Sequence, residues 1–283
     1  MSKSIAISLH PLAAALAKAK HITKPWLGSK SEYKPKNAKQ KVFLKYYDQL
    51  VSDAEKITEM KSIAHTDPDA VSKFIETGKG SGAKISKDDI EFTVGSVFEI
   101  FLKWIKPGEK DTMKFEGKSV QCSVMKNILH QKGILCIHAK NGDLVFMKIG
   151  EAKNSFELFE TVLALADTVR KNKEPETVEA HFPFIKLRTS DSYKWLKGLD
   201  LDADAKHRHP GYTVIDASAK NELDVDHEGA RIKSSSQVTC VMKGFTPKPK
   251  IVKIDKPFLF WVMRPGCDLP IFAACCNSDV LIK

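Results

Sequence analysis

The spacing of apolar and polar residues changes character several times along the chain, and each change predicts a different element. Over residues 8–20, Leu12, Ala13, Leu16 and Ala17 share one helical face and Pro11 can occupy the first turn, which predicts a short helix. Residues 42–63 repeat that spacing more weakly through Phe43, Tyr46, Tyr47, Leu50 and Val51. Asp67-Pro68 supplies a cap acceptor followed by a proline whose missing N–H costs nothing in a first turn. A helix carrying Val71, Phe74 and Ile75 therefore begins there, and Gly78, Gly80 and Gly82 end it. Residues 155–169 form a further helix, with Asn154 and Glu157 at capping-box spacing and Phe159, Val162, Leu163 and Ala166 turned inward.

From Glu91 the period shortens toward two. Residues 92–105 are rich in apolar, aromatic and β-branched side chains and end at Trp104 and Ile105, which predicts a mostly buried central strand. Residues 134–139 and 144–149 are apolar runs joined through Asn141-Gly142, a pair that accepts the positive φ angles of a tight turn, so they form a hairpin. Residues 178–187 are a strand in which Pro183, with no N–H to give, marks an edge or a bulge. Tyr193, Trp195, Leu196 and Leu199 make a short helical piece. Helices and strands come in runs without regular alternation, so the predicted class is α+β.

The last quarter, from about Tyr212, holds the sharpest contrast. After Gly229, Ala230, Ile232, Ser234, Ser236, Val238 and Cys240 fall on one uncharged face, and Arg231, Lys233, Ser235, Gln237 and Thr239 on the other. That alternation fits a half-buried strand whose small inward residues anchor it weakly. Pro247 and Pro249 suit an exposed loop, and residues 257–263 and 269–274 flank residues 264–268 as a core hairpin. Long strand, loop and buried hairpin together predict a loop offered to a partner protein.

Composition narrows the functions. The chain has 283 residues, 42% of them hydrophobic and 8% aromatic, the make-up of a folded chain sized for one large domain. The balance of 45 Lys+Arg against 35 Asp+Glu favours acidic partners. Much of the excess lies in Lys18, Lys20, Lys24, Lys30, Lys34, Lys36, Lys39, Lys41 and Lys45 against Glu32 alone, so residues 18–45 read as a solvated basic connector or as a nucleic-acid strip. The cysteines Cys122, Cys136, Cys240, Cys267, Cys275 and Cys276 include no Cys-x-x-Cys pair and read as free thiols. His207 and His209 beside Pro210 read as an exposed turn rather than as metal ligands.

Other chemistry has little footing in the sequence. Gly78-Lys79-Gly80-Ser81-Gly82 has the wrong spacing for a nucleotide loop and follows a helix instead of a strand, so no cofactor is implied. No nucleophile, base and orienting group can be assembled from the motifs, so an enzyme is not expected. No apolar run reaches the roughly 18 residues of a spanning helix, and the expectation is a protein kept inside the cell, cytoplasmic or nuclear, with no membrane partner.

Residues 255–260, Asp-Lys-Pro-Phe-Leu-Phe, with Pro270-Ile271-Phe272 near the carboxyl end, resemble the closing signature of the serpins, and Glu228-Gly229 stands where the serpin hinge does. Residues 71–85 are similar to the helix that covers the family's main sheet, residues 98–104 with Thr112 and Phe115 to its strand ending in tryptophan, and residues 178–187 to a later sheet strand. The resemblance implies one domain over residues 1–283: a large central mixed sheet, a second smaller sheet system and covering helices, with reduced amino-terminal helices. It also implies a reactive loop over residues 230–250 that a protease cleaves and that then inserts into the sheet. The implied hinge is Glu228, Gly229, Ala230 and Ile232, and the implied bait is Lys243 between Met242 and Gly244, suited to a trypsin-like protease.

The sequence departs from that pattern where the sheet must open. Ser96 replaces an expected asparagine, Ala219-Lys220-Asn221 replaces His-Lys-Ala, Ser8-Leu9 stands in place of Ser-Pro, and His227 replaces the hinge glutamate. Three functions remain open on the sequence. One is a degenerate serpin-like protein that presents its loop to a protein partner with trapping lost or impaired, a shortened form suited to a virus or parasite. The others are a working serine protease inhibitor using Lys243, and a basic nucleic-acid-binding or packaging protein.

Overall fold

In a computed structural model, the structure describes residues 3–86, 91–171, 175–207, 209–230 and 250–283. The chain opens with β1 (Ile5–Ile7), α1 (His10–Leu27), β2 (Glu32–Lys34), α2 (Ala38–Lys56), β3 (Lys61–His65) and α3 (Pro68–Thr77). Next come β4 (Thr93–Val97), β5 (Leu102–Lys103), β6 (Glu109–Phe115), β7 (Lys118–Gln131), β8 (Ile134–His138), β9 (Leu144–Ile149) and α4 (Ser155–Lys171). The remainder is β10 (Glu176–Pro183), β11 (Ile185–Ser192), a 3-10 turn (Lys194–Leu196), β12 (Asp200–Asp202), β13 (Tyr212–Thr213), β14 (Ser218–Val225), β15 (Gly229–Ala230), β16 (Ile251–Lys253), β17 (Phe258–Met263) and β18 (Phe272–Cys276), ending in a second 3-10 turn (Ser278–Val280).

A nine-stranded mixed sheet runs β1-β18-β17-β9-β8-β7-β10-β16, with β6 paired to β7. Within it β17 is buried at every residue because both faces are covered: Phe258, Phe260 and Val262 enter one core, and Leu259, Trp261 and Met263 the other. Helices α1, α2 and α4 close the second core, and β11 and β14 lie on the first through Leu187, Leu223 and Val225. Cys275 and Cys276 point into opposite cores, as period-two geometry requires. Cys122, Cys136 and Cys267 are likewise buried and free, while Cys240 lies outside the described residues.

Local chemistry places several elements where the pattern predicts them. Asp67 accepts from the Asp69 N–H at the start of α3, and Gly78 ends it in the left-handed region. Asn154 caps α4 by accepting from Phe156 and Glu157 N–H, while Glu157 reaches back to the Lys153 N–H. Asn141-Gly142 joins β8 to β9. Pro183 ends β10 where the chain crosses from the large sheet to the β11–β14 pair, a stronger break than a bulge.

Other elements differ from expectation. Residues 18–45 are not a connector: Ala19, Thr23 and Leu27 continue the buried face of α1 at four-residue spacing, β2 pairs with β12, and Asn37 caps α2 by accepting from the Gln40 N–H. The lysines there stand on the outer surface and leave the buried face of each helix unbroken. Residues 57–63 leave the helix, with Ile63 in β3. The predicted strand over residues 92–105 is interrupted, since residues 98–101 take no regular form and Phe101 and Ile105 are exposed. The apolar count there was right, but period and burial part company.

Two buried carboxylates hold the β17–β18 turn. Asp53 on α2 accepts from the Asp268 and Leu269 N–H groups at 2.9 and 3.0 Å, with Lys56 and Gln49 on its other oxygen and His10 at 3.8 Å. Burial pushes its pKa up, yet these donors outweigh burial together and hold the carboxyl well below the usual carboxylate range. Asp143, 1% exposed, receives both Nε and Nη2 of Arg264, and Arg264 also forks onto Glu59. Among the described residues no helix is long and apolar enough to cross a membrane.

Candidate functional site: the hinge and the split sheet

Two small strand pairs lie outside the large sheet. In one β3 pairs with β4, from Lys61↔Val97 to His65↔Thr93; in the other β11 pairs with β14, from Ile185↔Val225 to Ser192↔Ser218. In β14, Asn221, Leu223 and Val225 are buried and Lys220 and Glu222 exposed, the alternation of a sheet with one wet face. On that wet face Arg188 forks onto Asp224 at 2.7 and 2.8 Å and meets Glu222 at 3.2 Å.

The polar side chains of β4 and β14 bond within different parts of the fold. The Ser96 hydroxyl bonds with Ser62 and donates to the Lys61 carbonyl, whereas Asn221 donates to the Ala6 carbonyl of β1. Ser8 donates to the Ile271 carbonyl. Helix α3 covers the β3–β4 half closely: at Gly95 of β4 a Cβ would stand 2.6 Å from Val71. Glu76 of the same helix meets Lys220 of β14 at 3.7 Å.

Beyond Val225 the chain turns back on itself. The Asp226 carboxylate accepts from the N–H of Glu228 and Gly229, and the Asp226 N–H donates to the Gly229 carbonyl, which closes a tight turn. Gly229 and Ala230 then pair antiparallel with Lys103 and Leu102. Trp104, fully buried, clamps the turn from below: its indole N–H donates to the Asp226 carbonyl and its backbone N–H to the Glu228 carbonyl, both at 3.1 Å. His227 stacks on Phe184 and its carbonyl accepts from the Gly108 N–H at 2.7 Å. The base of the segment after Gly229 thus enters as a new strand beside β5.

Gly229 is the residue this geometry demands. A Cβ there would lie 2.1 Å from the Leu102 carbonyl oxygen, a backbone atom that cannot swing aside. Gly229→Val therefore undocks β15, and the Trp104 amide exchanges with solvent at least about tenfold faster, as for a local opening made easier by about 1.4 kcal/mol. Unchanged exchange at Trp104 would show that the hinge does not depend on this contact.

Of the predicted site residues, Glu228 is at the turn with an exposed side chain, and Gly229 and Ala230 are in β15. Ile232, Met242, Lys243 and Gly244, with most of the uncharged alternating face, lie outside the described residues. The structure adds Trp104, Asp226 and Arg188 to the site. Asp226-x-x-Gly229 is an Asx-turn pattern legible in the sequence; the role of Trp104 is not, because its partner is 122 positions away. Among the described residues no group of three or more His, Cys, Asp or Glu side chains could hold a metal.

No protein-family model matches the sequence, and no curated protein matches it either. Solved structures match throughout. The thermophilic serpin tengpin in its native state aligns over 98% of this chain and 89% of its own, at a TM-score of 0.59 and 15% identity. The fold is that of the serpins. Serpin48 of the insect Tenebrio molitor, described as highly specific, aligns over 98% of this chain and 92% of its own at a TM-score of 0.56 and 12% identity. Thyroxine-binding globulin in complex with thyroxine aligns over 99% and 94% at 0.57 and 11%. The serpin fold therefore carries more than one task among these structures, and the fold alone assigns none of them to this chain.

Proposed function

We propose that this serpin-fold chain presents residues 231–249 to a protein partner as a reactive loop, with protease trapping impaired, and that it is not an enzyme. The observation that carries the reading is that Gly229-Ala230 pair with Lys103 and Leu102, while residues 98–101, next along that strand, take no regular form. An inserted strand needs backbone partners on both sides, since each unpaired buried N–H or carbonyl costs about 1–3 kcal/mol. Along the β4 side residues 98–101, between Val97 and Leu102, take no regular form, so they do not present an extended ladder to such a strand. Close packing of α3 on Gly95 further opposes movement of β4. Lys34 and Lys36 are paired with Glu32 and Asp200, which weakens the case for a nucleic-acid strip.

Lys243 makes a trypsin-like protease the natural probe. Incubation with trypsin, read on a denaturing gel and by mass spectrometry, gives a cut after Lys243 and no stable covalent complex. A stable complex that disappears in Lys243→Ala would mean trapping is intact and would replace this reading with that of a working inhibitor.

A further inference from the structure

The strand carrying Trp104 has a second side. Trp104 bridges antiparallel to Ala139, with the Ile105 N–H donating to the His138 carbonyl and the Lys140 N–H to the Lys103 carbonyl. Trp104 and Ala139 point inward, 0% and 2% exposed. Alternation sends their neighbours the other way, so Lys103 stands opposite Lys140, and Ile105 opposite His138, on one outward face. All four are exposed, and Ile105, at 54%, is among the most exposed large apolar side chains of the described chain. Lys106 is exposed beside them, and Gly229, paired with Lys103, continues the row without a side chain.

This arrangement works against folding. Like charges directly opposite on adjacent strands repel, and an isoleucine left in water beside them gains nothing from burial. Among the described residues, Lys103, Lys106 and Lys140 have no ion-pair partner, although other lysines of the chain, such as Lys36, Lys56 and Lys250, do. A ligand that brought carboxylates to the lysines and an apolar group to Ile105 would relieve both costs at once. The patch adjoins the hinge, so a protein engaged by the loop would lie over it.

We infer that Lys103, Ile105, His138 and Lys140, with Lys106 at the margin, form a docking surface for an acidic, aromatic-bearing segment of the partner protein. Its place beside the hinge rests on the loop-presenting reading above; its chemistry rests on the patch alone. The lysines steer and orient the segment, and Ile105 receives its aromatic side chain.

The probe is a fluorescein-labelled peptide of alternating glutamate and tyrosine, titrated with the full chain and followed by anisotropy. Lys103→Glu and Lys140→Glu should each weaken binding at least about tenfold, and Ile105→Ser should weaken it as well. Lys39→Glu and Lys41→Glu, on exposed lysines of the other basic region, leave it unchanged. Because Lys103→Glu sets opposite charges across the ladder, its Tm holds or rises; a fall would show that the lysines serve the fold and overturn the inference. Equal loss of binding in the Lys39 and Lys41 variants would overturn it too, as would duplex DNA binding that Lys103→Glu abolishes to the same degree. Trypsin cleavage of the same variants separates the two readings. Normal cleavage after Lys243 with peptide binding insensitive to Lys103 and Lys140 removes the docking surface and leaves the loop reading. Binding lost in those variants, with no cut in residues 231–249, keeps the surface and removes the loop reading.

Discussion

Arg264→Ala lowers the free energy of unfolding by about 3–5 kcal/mol, measured by urea denaturation. The guanidinium joins three separate stretches: Asp143 in the β8–β9 turn, Glu59 before β3, and its own turn between β17 and β18. Removing it leaves Asp143 buried at 1% exposure with, among the described residues, the Asn141 amide as the one side chain still donating to it. The cost is that of an uncompensated buried carboxylate, larger than the worth of the pair itself. Arg264→Lys keeps the charge but cannot fork onto two carboxylates, so it recovers part of the loss. Arg264→Met combined with Asp143→Asn removes both charges and recovers more than either single change. A loss below about 1 kcal/mol for Arg264→Ala would mean the junction is wet and the turn is held by other means.

Trp104→Ala costs a similar amount, about 3–5 kcal/mol, for a different reason. Its side chain is fully buried against β5, β14 and the large sheet, and truncation leaves a cavity that the paired strands cannot collapse to fill. It also strips the Asp226 carbonyl of its indole donor. Trp104→Phe keeps most of the volume and loses only that bond, so it costs about 0.5–1.5 kcal/mol beyond any repacking. The two variants separate packing from anchoring: both loosen the hinge and quicken tryptic cleavage of the loop, but only the alanine variant loses global stability heavily. If Trp104→Phe leaves cleavage unchanged, the indole bond does not hold the hinge.

The sequence carried most of the fold in the places where one local rule decides. The Asp67-Pro68 start of α3, the Asn154 cap of α4, the Asn141-Gly142 turn and the hairpin of β17 and β18 all follow from chemistry within a few residues. It misled where tertiary pairing decides. Residues 98–101 are nearly as apolar as the strand on either side, yet they take no regular form. The lysines of α1 and α2 suggested a connector because charge density hid the four-residue spacing of Ala19, Thr23 and Leu27. Within the candidate site, a turn closed by Asp226 and Gly229 is legible in the sequence, and the close approach of Gly229 to the Leu102 carbonyl is not. Pairings such as Trp104 with Asp226 and Arg264 with Asp143 cross more than a hundred positions and leave no local trace.

Gly229-Ala230 are paired with β5, and residues 98–101 beyond Leu102 take no regular form; the proposed loop presentation without insertion depends on both. Thermal melting of the intact chain against the chain cut once after Lys243 tests them directly. A loop that cannot continue past Ala230 leaves Tm within a few degrees, and Ala230→Arg changes the cleaved form no more than the intact one. Full insertion would add several kcal/mol of new pairing, and at about 2–4 °C per kcal/mol it would raise Tm by more than about 10 °C. A rise of that size, abolished by Ala230→Arg, would contradict the account.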